Sequence, residues 1–239
     1  MAYNRNDYLS TSPWLKSQFL GGTPLHEEDI EFLKEIGMKK TYTKGSVLLD
    51  MGNRGDNMFF LHNGTVRYTL LSPEGVEKPV IYVTPGGFVG EEVFFHKQPI
   101  SYNAIAMDHV ETTIINYKSY WDVISRPRIV NVILKSMSIK SRILVTQIED
   151  LAFRSTVEKV ARLLYCLLAE GADVKAQNDN IGLTHYELAS LASAHRVSVS
   201  NAISELKKEG LISMDKNGGI IVDDIKKLRI KGFGELLDE

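Results

Sequence analysis

From Lys39 to about Tyr117, short runs of β-branched and aromatic residues alternate with glycine-centred turns. The pattern predicts strands near Lys40–Tyr42, Val47–Met51, Met58–Leu61, Thr65–Leu71, Lys78–Val83, Ala104–Met107 and Glu111–Asn116. Gly45, Gly52, Gly55, Asn63-Gly64, Ser72-Pro73-Glu74-Gly75 and Pro85-Gly86-Gly87 punctuate them. Short strands at such spacing predict a sandwich or a barrel. Ahead of them, Pro24 to Ile36 predicts a short helix with acids near its start and Gly37 at its end. Residues 1–20 are polar and aromatic, with Tyr3, Tyr8, Trp14 and Phe19, and suggest an arm that packs on the body.

After Pro127 the period changes. Val130, Ile133 or Leu134, Met137, Ser141, Leu144, Ile148 and Leu151 recur at a period near 3.5, the repeat of a coiled-coil seam. Val132, Ile139, Ile143 and Val145 lie off that seam. A long helix to about Leu151 is predicted, one side meeting a partner chain in a parallel homodimer and another covering the barrel. Lys140 interrupts the apolar stripe. Residues 155–170 predict a further amphipathic helix, capped by Ser155 or Thr156 with Glu158 close by.

The stretch LTHYELASLASAHRVSVSNAISELKKEGLI, Leu183 to Ile212, contains two short helices. Thr184 and Glu187 form a capping box for the first, which carries Leu188 and Leu191 on its apolar side. Ala192-Ser193-Ala194 makes a tight turn. In the second helix, Val199, Ala202, Ile203 and Leu206 share a face, and Arg196, Val197, Ser200, Asn201 and Ser204 share another. Lys207 and Lys208 suit its last turns, and Gly210 ends it. A plain helical hairpin would satisfy these residues too. However, Leu211 to Met214 and Ile220 to Val222 predict two strands about the turn Asp215 to Gly219, which makes the unit a winged helix-turn-helix. The tail, DDIKKLRIKGFGELLDE, is amphipathic and receives no function.

Composition narrows the classes. The 239 residues are 44% hydrophobic and 24% charged, enough for one large or two ordinary domains. Net charge is −2, so DNA binding requires a local basic patch, for which Arg196, Lys207, Lys208 and Lys216 are candidates. The single cysteine, Cys166, cannot form an internal disulfide or hold an iron–sulfur cluster, and suits a reducing cytosol. No apolar run spans a membrane, and the start is no signal peptide, so a cytoplasmic chain is expected. The order is α+β: residues 1–38 an arm and helix, 39–125 a cupin-like barrel, 126–153 a dimerisation helix, and 154–239 a winged helix-turn-helix domain.

That order resembles the CRP/FNR superfamily of bacterial transcription regulators from about Lys39 to Val222. The marks are GSVLLDMGNRGDNMFFLHNGTVRYTLLSPEG, GGFVGEEVFF and the helix-turn-helix stretch. The resemblance implies a cyclic-nucleotide-binding-like effector domain, a homodimer on double-stranded DNA, allosteric control by a small molecule, and RNA polymerase as a further partner. Cyclic-nucleotide members of the family use a Gly-Glu step for ribose and a following Arg for phosphate. Gly90-Glu91 is present, but no Arg occurs between Arg67 and Arg126, which leaves a cyclic phosphate without its cation. Haem would need an axial ligand, and nothing marks His62, His96 or His109 as one. No cofactor is expected, only an organic effector.

The segment SYNAIAM, the Val after Arg196 and the general run of the recognition helix look closest to the CprK-like branch, which senses halogenated phenols. The family pocket then implies Tyr82, Gly90, Glu91, Tyr102 and Asn103 from the barrel, with Ser136 and Lys140 from the helix. Two readings of Lys140 stand: a side chain snorkelling to water, or an ammonium that pairs with a phenolate or carboxylate. On the DNA side the candidates are Thr184, His195, Arg196, Val197, Ser198, Ser200, Asn201 and Lys207. Val197 methyls suit thymine and Asn201 suits adenine, so an A·T-rich palindrome is expected. An enzyme is not expected. Metal-binding cupins use a close His-x-His pair with a later Glu and His, and the barrel histidines here are dispersed singles, so no metal site is expected.

Overall fold

A computed structural model describes residues 25–169, 176–177, 180–181, 185–216 and 218–234. The predicted arm, Thr184 with its capping role, most of the loop before the helix-turn-helix and the last five residues lie outside these. The described residues fall into two compact units, one ending at Leu144 and the other starting at Val145.

The first unit opens with α1 (Glu27–Ile36), followed by β1 (Met38–Tyr42), β2 (Val47–Leu49), β3 (Asn57–Asn63), β4 (Val66–Leu71) and β5 (Glu77–Val83). It continues with β6 (Phe88–Val89), α2 (Glu91–His96), β7 (Asn103–Ala106), β8 (Val110–Asn116) and α3 (Tyr120–Ile124). Two antiparallel sheets result, ordered β1-β8-β3-β6 and β2-β7-β4-β5. All seven expected strands form. The sequence pattern did not separate β6 and α2, because GGFVGEEVFF is a short apolar run without a period. Pairing with β3, through Phe59 opposite Val89 and Phe60 opposite Phe88, makes β6 a strand.

β3 explains why its run is uninterruptedly apolar. Successive side chains of a strand point to opposite faces. Phe59 and Leu61 enter a core with Val66, Tyr68, Ile81 and Ala104, whereas Met58 and Phe60 enter a second core with Leu33, Phe88, Phe94 and Ile115. Both faces are therefore dry.

The long helix, α4, runs from Pro127 to Phe153. Its start is tied to α1 by buried Asp29, which accepts a hydrogen bond from Arg128 Nε at 2.8 Å. Within the first unit, Ile129, Val132, Ile133, Ser136, Lys140 and Ile143 are buried. Of the expected seam, Ile133 is thus inside, whereas Leu134 and Leu144 are 57% and 43% exposed. Of the four residues expected off the seam, Val132 and Ile143 are buried and Ile139 is half-buried, whereas Val145 is 63% exposed.

In the second unit, the last part of α4 exposes Val145, Ile148 and Leu151. α5 (Thr156–Ala169) begins with a reciprocal cap. Glu158 N donates to Ser155 Oγ and Ser155 N donates to Glu158 Oε2. Then come β9 (Ala176–Gln177), β10 (Asn180–Ile181), α6 (His185–Leu191), α7 (Arg196–Lys208), β11 (Ile212–Met214), β12 (Ile220–Val222) and α8 (Ile225–Phe233). The wing belongs to a larger sheet than expected, ordered β11-β12-β10-β9. The amphipathic tail is a structural helix. α8 packs so closely on α5 that a Cβ at Gly232 would sit 2.6 Å from Arg162 N. Arg154 Nη1 donates to Gly232 O at 2.8 Å, and Arg162 Nη1 reaches buried Asp150 at 2.8 Å. No helix among the described residues is long and apolar enough to cross a membrane.

Candidate functional site

Two surfaces answer the expectations. The first is α7. Val199, Ala202, Ile203 and Leu206 are buried at three- and four-residue spacing and fasten the helix to its core. Arg196, Val197, Asn201 and Lys207 are exposed on the remaining faces. Val197 is 72% exposed, far more than an aliphatic side chain needs for packing. His195 is the exposed N-cap residue and makes no side-chain capping bond. Ser198 and Ser200 are half-buried. Ser200 Oγ lies 3.0 Å from His185 Nδ1, so this serine braces α7 against α6. Between the two helices Ser193 adopts φ 49°, the left-handed conformation that turns the chain sharply. Gly210, at φ 72°, ends α7. Asp215 closes the wing: its carboxylate accepts from Gly219 N at 2.6 Å, and exposed Lys216 stands beside it.

The second surface is a cavity of about 330 Å³ in the first unit, lined by β4, β5, α2, the segment before β7, and α4. Leu70, Val80, Ile81, Met137 and Leu144 make its wall mainly apolar. Its polar end is formed by Tyr68, Tyr102, Glu92 and Lys140. The Tyr68 and Tyr102 rings stack, with centroids 4.2 Å apart.

Lys140 is only 6% exposed, so it does not snorkel to water. Its ammonium donates to Glu91 Oε2 at 2.7 Å, Tyr68 Oη at 2.8 Å and Phe88 O at 3.1 Å. All three ammonium hydrogens thus have partners. Glu91, fully buried, also accepts from Ser136 Oγ at 2.8 Å. Both of its oxygens are engaged. Gly90 precedes it in the left-handed conformation at φ 79°, and its N–H donates to Tyr68 Oη at 3.0 Å. A Cβ there would strike Leu49, so glycine suits the position twice over. Burial, with Glu92 and Glu91 nearby, pushes the Tyr68 phenol well above its usual range, so it stays protonated.

Of the seven residues expected around an effector, Tyr102 and Lys140 line the cavity. Gly90, Glu91 and Ser136 form the hydrogen-bonded layer that holds Tyr68 and Lys140. Tyr82 and Asn103 lie elsewhere. Tyr82 stands opposite Arg67 on the β4–β5 ladder and is not part of the cavity wall, which takes Val80 and Ile81 from that strand. Asn103 Oδ1 instead accepts from Met51 N at 2.8 Å. The residues missed are Tyr68, Leu70, Val80, Ile81, Glu92 and Ser101 on the barrel, and Met137, Ser141 and Leu144 on the helix. The helical three belong to the 3.5-residue repeat that predicts the dimer seam. Their spacing around Lys140, at 137, 140, 141 and 144, was the available signal for a shared face.

The three barrel histidines are locally engaged. His62 Nε2 lies 2.7 Å from Thr113 Oγ1, His96 Nδ1 accepts from Gln98 N, and His109 faces Glu111. Cys166 is buried in the core of the second unit. Among the described residues, no group of three or more His, Cys, Asp or Glu could hold a metal ion.

Comparison with known proteins agrees with this layout. Residues 39–126 match the cyclic nucleotide-binding domain family, and residues 158–230 match the Crp-like helix-turn-helix domain family. The chain is 24% identical to the cyclic AMP receptor protein of Thermus thermophilus, over 89% of this chain and 98% of that protein. Its fold is similar to that of the c-di-GMP-responsive global regulator CLP of Xanthomonas campestris, with TM-score 0.70 and 17% identity over 83% of this chain and all of that one. It is also similar to CprK complexed with OCPA, with TM-score 0.69 and 20% identity over 89% of this chain and 99% of that one. The three names carry three different small molecules, so likeness at this level leaves the effector to be argued from the cavity. With an effector-binding domain of the cyclic nucleotide-binding type followed by a Crp-like helix-turn-helix, this chain belongs to the CRP/FNR family of DNA-binding transcription regulators.

Proposed function

We propose that the protein is a homodimeric regulator, not an enzyme, that binds an A·T-rich palindrome in response to a small aromatic or phenolic effector, halogenated phenols included, as in the CprK-like branch. The observation that carries the DNA reading is the exposure of Arg196, Val197 and Asn201 on a helix whose opposite face is buried. Arg196 grips phosphate or reads guanine, Val197 meets a thymine methyl, and Asn201 pairs with adenine N6 and N7. RNA polymerase is the further partner, and the cytoplasm the place of action. Asn201→Arg is expected to shift the selected half-site from A·T towards G·C at one position, since Arg favours guanine. Unchanged operator preference in a selection from random duplexes would remove Asn201 from base readout.

Dimerisation is supported by α4. Leu134, Leu144, Ile148 and Leu151 are each more than two-fifths exposed and keep the seven-residue repeat. Paired helices would set two recognition helices about one DNA turn apart, roughly 34 Å. Ile148→Glu is expected to yield monomers by sedimentation and to weaken palindrome binding by about a hundredfold, because a dimer grips two half-sites at once. A dimer that persists in this variant would overturn the seam.

The effector reading rests on the apolar cavity with its few polar groups, the usual character of a small-molecule site. Cyclic AMP is the competing effector, favoured by the likeness to the cyclic AMP receptor protein of Thermus thermophilus. Against it stand the two engaged oxygens of Glu91 and the missing Arg. The deciding experiment selects random duplexes without ligand, with aromatic acids and halogenated phenols, and with cyclic AMP. Enrichment of a palindrome only with the aromatic pool supports the proposal. Enrichment only with cyclic AMP replaces the effector and keeps the regulator.

A further inference from the structure

We propose that the effector is an uncharged, mainly apolar single-ring aromatic, and that the cavity rejects anions and cations alike because its ionic groups are already closed on one another. The inference rests on the cavity being the effector site and adds the charge its occupant must have.

Glu91, Glu92 and Lys140 are the ionic side chains at the polar end. The Lys140 ammonium spends its hydrogens on Glu91 Oε2, Tyr68 Oη and Phe88 O. Glu91 spends its oxygens on Lys140 and Ser136. The Tyr68 hydroxyl oxygen accepts from Gly90 N and Lys140. Glu92 is held by the Tyr102 hydroxyl and by the Glu91 side chain, and burial keeps it protonated up to about pH 7. One positive and one negative charge therefore cancel, and neither is left over for a ligand. The other polar residues of the wall, Ser101 and Ser141, are neutral.

An ion that enters such a wall loses its hydration and gains no partner in return. A carboxylate or a phenolate would have to take Lys140 from Glu91 and leave that carboxylate buried alone, the costly way to break a buried pair. An ammonium would have to take Glu91 from Lys140, with the same result for the lysine. An uncharged ring disturbs neither, so of the phenols only the neutral form enters. Leu70, Val80, Ile81, Met137 and Leu144 give it apolar contact. Dry apolar cavities of roughly 150 Å³ already accept benzene. The volume of about 330 Å³ here therefore admits one ring with several alkyl or halogen substituents.

The test is calorimetric titration of the full chain at about pH 6, where Glu92 keeps its proton. The probes share one shape: ethylbenzene and 4-ethylphenol are neutral, 4-ethylbenzoate is an anion and 4-ethylbenzylammonium a cation. Both neutral probes are expected to bind at least about tenfold more tightly than either ion, the effect of one uncompensated charge. The double variant Glu91→Gln with Glu92→Gln leaves Lys140 without a carboxylate, and 4-ethylbenzoate should become its tightest probe. Should that variant not fold, the order of the probes on the native chain decides alone. An ion that binds the native chain as tightly as ethylbenzene, or more tightly, overturns the inference and leaves the cavity as the effector site. So does a folded double variant that keeps the native order, since the closed ion pair would then not be what rejects the anion. Failure of every probe to bind removes the cavity from effector binding and the inference with it.

Discussion

Replacing Lys140 by methionine will destabilise the first unit by about 3–5 kcal/mol, the cost of leaving one member of a buried ion pair alone. The survivor is Glu91, with a fully buried side chain and Ser136 as its remaining donor. Two carbonyl and hydroxyl acceptors, Phe88 O and Tyr68 Oη, lose their donor at the same time. The variant with both Lys140→Met and Glu91→Leu should recover most of the loss, since an apolar pair of similar volume carries no desolvation cost. Calorimetric unfolding of the full chain checks both. If Lys140→Met melts with the native protein, the ammonium does not hold this end of the cavity together.

Glu92→Gln should do the opposite of a destabilising change. Burial pushes the Glu92 carboxyl from 4.5 up to about 7, with Lys140 opposing and Glu91 adding to the rise. Between those two values the folded chain holds a proton that the unfolded chain releases. Stability from this group is therefore present at low pH and is lost as pH rises through about 7. Glutamine has no such dependence. Near pH 8 the variant should be about 2–3 kcal/mol more stable than the native chain, and the two should converge below pH 4.5. The measurement is the difference in melting temperature across that range. A constant difference at all pH values would mean that Glu92 is not held against its charge. Adjacent glutamates thus have opposite expected outcomes: removing the partner of Glu91 harms the fold, and neutralising Glu92 helps it. A group kept at a cost to stability in the wall of a cavity is what a ligand-recognition site looks like.

The comparison of pattern with structure turns on distance along the chain. α7 was legible because its four buried residues, its final lysines and Gly210 all fall within fifteen residues. β3 was legible because an apolar run between turns is a strand whether one face is buried or both. The capping of α5 was legible as a three-residue pattern. β6 was not, because two residues have no period and only β3 beside them makes a strand. α8 was seen as amphipathic, but not as essential packing, because Gly232 reveals its purpose only against Arg162, seventy residues away.

The cavity divides along the same line. Lys140 announced itself as a charge in an apolar stripe, and Gly90-Glu91 as a family step. Tyr68 and Glu92 gave no signal, since a tyrosine in a strand and a glutamate in a helix are ordinary. By itself the sequence determined the order of the elements, the winged helix and the exposed face of α7, because periodicity, caps and turns act between neighbours. Only the tertiary structure decided that Lys140 belongs to Glu91, that Tyr82 and Asn103 stand away from the cavity, and that Glu92 stands in its wall. Those outcomes depend on burial and on partners dozens of residues apart, 49 in the case of Lys140 and Glu91, and the local pattern of a chain carries neither.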